Sequence, residues 1–465
     1  MDFSSTNIGL WSVILQFGVI AAMILISNIL RRKIPFVRKS LLPTAVLAGF
    51  ILLILRSVHL FEMNTEFLEM ITYHGIAIGF IALSLRIPAK STKAEKLSGP
   101  KSGALIISSY LIQGIMGLII TVLLGFTFMP NLFKAAGILL PMGYGQGPGQ
   151  ANNIGSMYET LGFAGGRSFG LSIAAAGYLS ACIVGIIFLN ILVKKGKVKI
   201  KSYEEVSGSL TVDAFQDKNE IPIAESIDRL SMQFAFVLVV YLLTYLAIDG
   251  LAALAVRFGG GMATTLETLL WGFNFIFGSV VAILVRSLFK ILRRQKLMTR
   301  QYQNNYLLSR ISGLAFDYMI VAGIASIEFS DLVDLWLPFI LMSIAGAIGT
   351  YFFLRYICKH VYPDYFYEGL VSMYGMMTGT ISSGVLLLRE IDPEFKTPAA
   401  NNMLTGSSFA ILIGAPMLLL IGIAPNSELM TLLTLILMFV YLAPLLYFLL
   451  KKKKTAAEDM PDESQ

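Results

Sequence analysis

Catalytic and metal-binding side chains are scarce in this 465-residue chain. Its two cysteines, Cys182 and Cys358, lie far apart in or beside apolar runs, so they offer neither a disulfide framework nor a metal-ligand spacing. There are three histidines, and His74, set in an apolar run, reads as a packed side chain. No His-Glu-x-x-His, Gly-x-Ser-x-Gly or acidic metal cluster occurs, which speaks against an intramembrane enzyme. No Gly-x-x-x-x-Gly-Lys-Ser/Thr occurs, so ATP-driven pumping lacks its phosphate cradle. Rings of charge that would line a channel are missing too. Charged residues make up 14% of the chain, against about 25% in soluble domains.

Apolar residues supply 56% of the chain, in runs long enough to cross a bilayer. The net charge of +7 collects in the loops between those runs. That is the footprint of membrane topology, and no nucleic-acid partner is expected. The first apolar run has no basic segment ahead of it and is too long for a signal peptide, so no cleaved leader is expected. Eleven spans are expected, at 9–30, 40–57, 68–87, 103–128, 168–193, 229–248, 264–290, 312–327, 335–354, 403–424 and 430–450. The loops rich in Arg and Lys follow 30, 87, 193, 290 and 450. By the positive-inside rule these face the cytoplasm, which puts the N-terminus outside and the C-terminus inside a multi-pass protein of the lipid bilayer.

Two glycine-rich stretches interrupt the apolar pattern. In the first, LPMGYGQGPGQANNIG at 140–155, Gly143, Gly145, Gly147 and Gly149 alternate, and Pro148 interrupts them. A helix would lose about 1 kcal/mol at each glycine and about 3 at the proline, so unwound backbone is expected. Unwound backbone at membrane depth is tolerated only inside protein or beside a water-filled cavity. The second stretch is YGMMTGTISSG at 374–384. Tyr144-Gly145-x-x-x-Gly149 and Tyr374-Gly375-x-x-x-Gly379 repeat one pattern 230 residues apart, close to half the chain. The charge alternation works only if 133–158 enters and leaves from the outside and 366–390 from the inside. Each is then a re-entrant hairpin, whose limbs of about ten helical residues reach about 15 Å, to the midplane.

The expected fold is therefore an all-α integral membrane protein of two inverted-topology repeats. Each repeat has four spans, a re-entrant hairpin and a fifth span, and one extra C-terminal span follows. Residues 1–193 form the first repeat, 194–227 a cytoplasmic linker, 228–425 the second repeat, 426–450 the last span and 451–465 a cytoplasmic tail.

Polar residues near the glycines are the candidates for chemistry. Gln146, Gly147, Gly149, Gln150 and Asn152 around the first tip, with Gly379, Thr380 and Asn401 in the second half, are expected to hold a small anionic substrate. Amides and freed backbone N–H groups bind polar ligands without a buried charge. Asn153, Thr378, Ser382, Asn402 and Asp317 are the Na⁺ candidates. Asparagine beside a helix start is also a common cap, and Thr and Ser hydroxyls also bond back to their own helix. Asp317 stands inside a span, where a carboxylate is a functional candidate by default. If coupling is to protons, it becomes the leading carrier. Arg167, Arg257 and Arg389 lie near span ends and read as anchors.

The chain resembles the bacterial sodium/glutamate symporter family over nearly its whole length. The pieces that carry the resemblance are PMGYGQGPGQANNIG, and YGMMTGTISSGVLLLREIDP with the following ANN. The Gly-Gln-Gly-Pro-Gly-Gln of the first motif departs from the family's better-known members. The resemblance implies Na⁺-driven uptake of L-glutamate across the bacterial cytoplasmic membrane. It also implies a homodimer and an elevator mechanism, in which a hairpin-bearing domain slides against a scaffold. No catalytic activity and no cofactor beyond the coupling ion are expected. Another small carboxylate coupled to Na⁺ or H⁺, or cation/proton antiport, is the alternative.

Overall fold

The structure, a computed structural model, describes residues 3–4, 6–39, 42–87, 93–197, 229–258, 267, 270–298, 300–392 and 396–451. The expected linker from 198 to 227 and the tail after 451 lie outside these residues. Every regular element among the described residues is a helix. Among the described residues nine helices are long and apolar enough to span a membrane, or ten if one bent pair is a single span.

In chain order the first helices are α1 (Ile8–Lys33), α2 (Thr44–Ser57), α3 (Thr65–Leu85) and α4 (Lys93–Phe126). A short helix α5 (Leu139–Tyr144), a break at 145–147, and α6 (Pro148–Thr160) form the first glycine hairpin, and α7 (Gly166–Lys194) follows. The same order recurs in α8 (Arg229–Phe258), α9 (Asn274–Arg294), α10 (Asn305–Ala325) and α11 (Trp336–Val361). The second hairpin is α12 (Phe366–Thr378) and α13 (Ile381–Arg389), and α14 (Ala399–Ile413), α15 (Ala415–Ile423) and α16 (Glu428–Leu450) close the chain.

Local chemistry sets several of these boundaries. The Asn64 side chain caps α3 by accepting from Glu66 N at 2.7 Å, and Asn304 caps α10 by accepting from Leu307 N at 2.8 Å. The span expected at 40–57 is the 14-residue α2, which starts after Pro43. At 1.5 Å per residue α2 is about 21 Å long, short of a core of about 30 Å. The span expected at 403–424 is the pair α14 and α15, bent by 56° where Gly414 and Pro416 interrupt the helix. The unwound region of the first glycine stretch is also narrower than expected. Helix runs to Tyr144 and resumes at Pro148, and of its alternating glycines Gly147 alone has positive φ, at 87°. Pro148 at the first helical position fits its fixed φ and missing N–H.

The helices form two groups. One consists of α1, α2, α3, α8, α9 and α10, with α3 crossing α10 at its centre. Gly75 and Gly79 of α3 make that crossing possible: a Cβ on Gly75 would lie 2.9 Å from Met319 Cβ, and one on Gly79 would collide with the Phe316 ring. The other group holds α4, α7, α11, both hairpins, α14, α15 and α16, gathered around α4 and α7. The groups meet chiefly where α6 packs on α3 and α10.

Both broken segments turn back on themselves. The ring of Phe133, ahead of α5, stacks on Phe163 at 5.0 Å and lies 5.5 Å from Tyr158 near the end of α6, so the two feet of the first hairpin are neighbours. In the second hairpin Gly375 faces Gly384 across the turn, where an added Cβ would lie 2.8 Å from Gly384 Cα.

Candidate functional site

The two hairpin tips meet. A Cβ on Gly147 would lie 3.2 Å from Thr380 Cγ2, 3.7 Å from the Tyr178 hydroxyl and 3.9 Å from the Gly379 carbonyl oxygen. Gly147 is the N-cap of α6 and Thr380 the N-cap of α13, and neither helix has a side-chain cap bond. First-turn N–H groups have no partner within their own helix. Two sets of such donors, each at the positive end of a helix dipole, therefore converge from opposite hairpins.

The repeated Tyr-Gly motif anchors both tips to one helix. Tyr144 Oη donates to Ser343 O at 2.6 Å, and Tyr374 Oη donates to Ala347 O at 3.3 Å. Ser343 and Ala347 are one turn apart on α11. Further support comes from α4. Gln113 Nε2 donates to Met377 O at 2.8 Å and to Thr350 Oγ1 at 2.9 Å, while Tyr110 Oη donates to Gly145 O at 3.2 Å. Gln113 and Tyr178 were not among the sequence candidates. Their signal was a lone amide and a lone phenol inside apolar runs, which by itself does not distinguish a tip contact from a packed side chain.

Around the tips, polar side-chain atoms are buried without hydrogen-bond partners: both amide atoms of Gln150, Asn152 Oδ1, Gln113 Oε1 and Ser383 Oγ. Gln150 is 1% exposed. An unmatched buried polar group costs about 1–3 kcal/mol, so a cluster of them marks a place that a polar ligand or water completes. The Tyr178 and Thr380 hydroxyls are likewise buried without a hydrogen-bond partner.

The sequence candidates divide in this geometry. Gln146, Gly147, Gln150, Asn152, Gly379 and Thr380 lie at or just beyond the tips, and Gln146 Nε2 approaches Met142 Sδ at 3.8 Å. Gly149 does pack: its Cβ would meet Ile76 Cδ1 at 2.6 Å and Met319 Sδ at 2.8 Å. The Thr378 hydroxyl donates to Tyr374 O at 2.7 Å, the local helix bond that threonine favours. Asn152 and Asn153 sit in the second limb of the first hairpin. Asn401 and Asn402 start α14, where Asn401 is exposed and Asn402 Nδ2 donates to Tyr365 Oη at 2.6 Å beside the foot of the second hairpin. Neither is brought to the tips, because nine residues of α13 and a loop lie between the second tip and α14. Ser382 lies in α13, with its side chain outside the described part of the structure. Asp317 is exposed on α10. No cluster of three His, Cys, Asp or Glu suited to a metal occurs among the described residues.

At the feet of the first hairpin a charged network joins the two helix groups. The Arg167 side chain pairs with Glu69 of α3, and the Arg167 backbone N–H donates to Glu159 Oε1 at 2.9 Å. Ser168 Oγ donates to Asp331 Oδ2 at 2.7 Å, and Glu328 Oε1 accepts from Thr65 Oγ1 at 3.1 Å. Arg56 completes the network by donating to Thr65 Oγ1 at 3.0 Å and to the Ala325 carbonyl.

No protein-family model matches the chain, and no curated protein matches it.

Proposed function

We propose that the chain is a secondary active transporter that carries L-glutamate with Na⁺ across the bacterial cytoplasmic membrane. The observation that carries this reading is the meeting of two helix N-termini at the hairpin tips, beside the buried and unmatched Gln150. Each helix N-terminus acts as about half a positive charge and presents free N–H groups, which suits a carboxylate. Other small carboxylates would find the same donors.

The order of elements, with α1–α7 followed by the like-ordered α8–α15, supports two repeats, and the placement of the basic loops supports their inversion. In that frame the two broken hairpins enter from opposite faces, the N-terminus is outside, and α16 is the extra span. The helix group of α3 and α10 serves as scaffold. The group carrying the hairpins is the sliding part of an elevator, working in a homodimer. The first hairpin is held to the scaffold by α6 and by the charged network at its feet, whereas α13 packs on α12, α7 and α14 of its own group. This arrangement supports a state closed toward the outside and open toward the cytoplasm.

Coupling follows from charge. Glutamate carries one net negative charge at pH 7, and its entry alone opposes an inside-negative potential at about 2.3 kcal/mol per 100 mV. Two or more Na⁺ per glutamate reverse that sign. The test is uptake of labelled L-glutamate by proteoliposomes, with an inward Na⁺ gradient and with choline in its place. Uptake only with Na⁺ supports the reading, and no accumulation of any acidic amino acid under either condition defeats it. Proton coupling is the second reading, favoured by the Asp317 carboxylate within α10. Uptake driven by a pH gradient without Na⁺ selects it.

A further inference from the structure

Away from the tips, the second limb of the first hairpin meets the start of α9, where two backbone carbonyls accept side-chain donors. The carbonyl of Trp271 accepts from Tyr73 Oη at 2.8 Å, and the carbonyl of Gly272 accepts from Asn153 Nδ2 at 3.0 Å. Two residues on, Asn274 Nδ2 donates to Tyr241 Oη at 3.3 Å, and Tyr241 Oη also pairs with His74 Nδ1 at 2.7 Å. The donors of this group are thus committed to particular acceptors. What remains is one-sided: Asn153 Oδ1 and Asn274 Oδ1 are buried acceptors without a donor. Asn153 is 4% exposed and Asn274 2%.

We propose that Asn153 and Asn274 hold a monovalent alkali cation at this seam, with the Gly272 carbonyl as a further oxygen. Hard cations of this kind take oxygen ligands. Amide and carbonyl oxygens are neutral, and a single positive charge among neutral oxygens suits a buried site better than a divalent ion, which draws carboxylates. Each amide is fixed by its own N–H₂ bond, so its oxygen is oriented before the cation arrives. Asn153 belongs to the hairpin group and Asn274 to the scaffold group. A cation bound by both therefore ties the first hairpin to α9 and favours the arrangement described above.

This inference goes beyond the coupling part of the proposed function, on whose two sliding groups it rests: a cation held by both groups locks the seam and leaves before they slide. Its test uses the cation alone, so a negative result leaves the glutamate reading standing. Trp271 supplies the reporter. Full-length protein carrying Trp11→Phe and Trp336→Phe is titrated in detergent with NaCl against choline chloride at constant ionic strength, without substrate. A saturable change in Trp271 fluorescence is expected with Na⁺ and not with choline, and the thermal unfolding midpoint should rise over the same Na⁺ range. Asn274→Ala should weaken the Na⁺ midpoint at least tenfold. Asn274→Asp keeps the oxygen and adds a negative charge, so it should tighten the midpoint at least tenfold. Should the Asn274 variants fail to give monodisperse protein, Asn153→Ala and Asn153→Asp carry the same pair of expectations. No response that distinguishes Na⁺ from choline overturns the proposal. Equal weakening by Asp and Ala also overturns it, since the amide would then matter only as a donor.

Discussion

The two hairpins share a motif and differ in their surroundings. The first breaks at the glycine of its Tyr-Gly pair and the second at Gly379, four residues past its pair, yet each places a helix N-terminus at the tip and each tyrosine anchors on α11. Yet α6 is buried from Pro148 to Gly155 and packs across the seam on α3 and α10, while Ile381, Val385 and Leu386 of α13 are only partly buried. Equal local chemistry therefore builds equal tips, and the neighbours decide which one is held. Segments with fewer buried contacts open at lower free energy, so the second hairpin is the one expected to move first.

The largest expected effect lies at the glycine that closes the seam. Gly149→Val would drive a branched side chain into Ile76 and Met319, at a cost of about 1–3 kcal/mol of stability, and should abolish uptake. Gly379→Val meets Ser383 inside its own hairpin, not across the seam. It should lower the unfolding midpoint less. Equal midpoint losses in purified protein would remove the distinction between the two sites.

Thiol accessibility sharpens the same contrast. The native Cys182 and Cys358 are both buried and can be replaced by serine. In that background a cysteine at Val385 should react with a water-soluble maleimide at least tenfold faster than one at Ala151, which is 0% exposed. Similar rates would mean that both second limbs open alike.

A smaller effect is expected at the feet of the first hairpin. Glu69→Gln removes the partner of Arg167, whose side chain is 11% exposed against 36% for Glu69. For such a partly exposed pair the loss should be about 1 kcal/mol, shrinking as salt is raised. A salt-independent loss in thermal or denaturant unfolding would point to packing instead of charge.

The smallest effect concerns the foot of the second hairpin. Burial pushes the Asp392 carboxyl up, but bonds from the Thr397 hydroxyl and N–H and from Lys396 N–H outweigh it and hold the group below its ordinary value. A carboxylate held down stabilises the fold above its unfolded pKa, and that contribution is lost as pH falls through the lower folded value. Asp392→Asn should therefore lower the unfolding midpoint slightly at pH 7 and make no difference at pH 2. A loss that persists undiminished in acid would show that charge plays no part.

Much of the architecture was legible in the sequence because it is local. Apolar run length and charged loops located a helix at each of the eleven expected spans, though α2 is shorter and α14–α15 bent. The glycine stretches located both breaks, but with less unwinding than glycine count suggested, because most of these glycines serve close packing: Gly143 against Ala174, Gly149 against Met319, Gly155 against Gly166.

The chain by itself determined that this is a helical protein of many apolar spans with two breaks. Helix formation depends on residues within a turn of one another, and Gly147-Pro148 and Gly379-Thr380 interrupt it wherever they are placed. Tertiary structure alone decided that these breaks face each other and that the Gln113 amide from α4 supports the second of them. It also decided that Asn153 and Asn274, 121 residues apart in the chain, both lie at one seam with an amide oxygen unmatched. Whether a buried oxygen has a partner depends on which distant backbone arrives beside it, and no spacing along the chain encodes that.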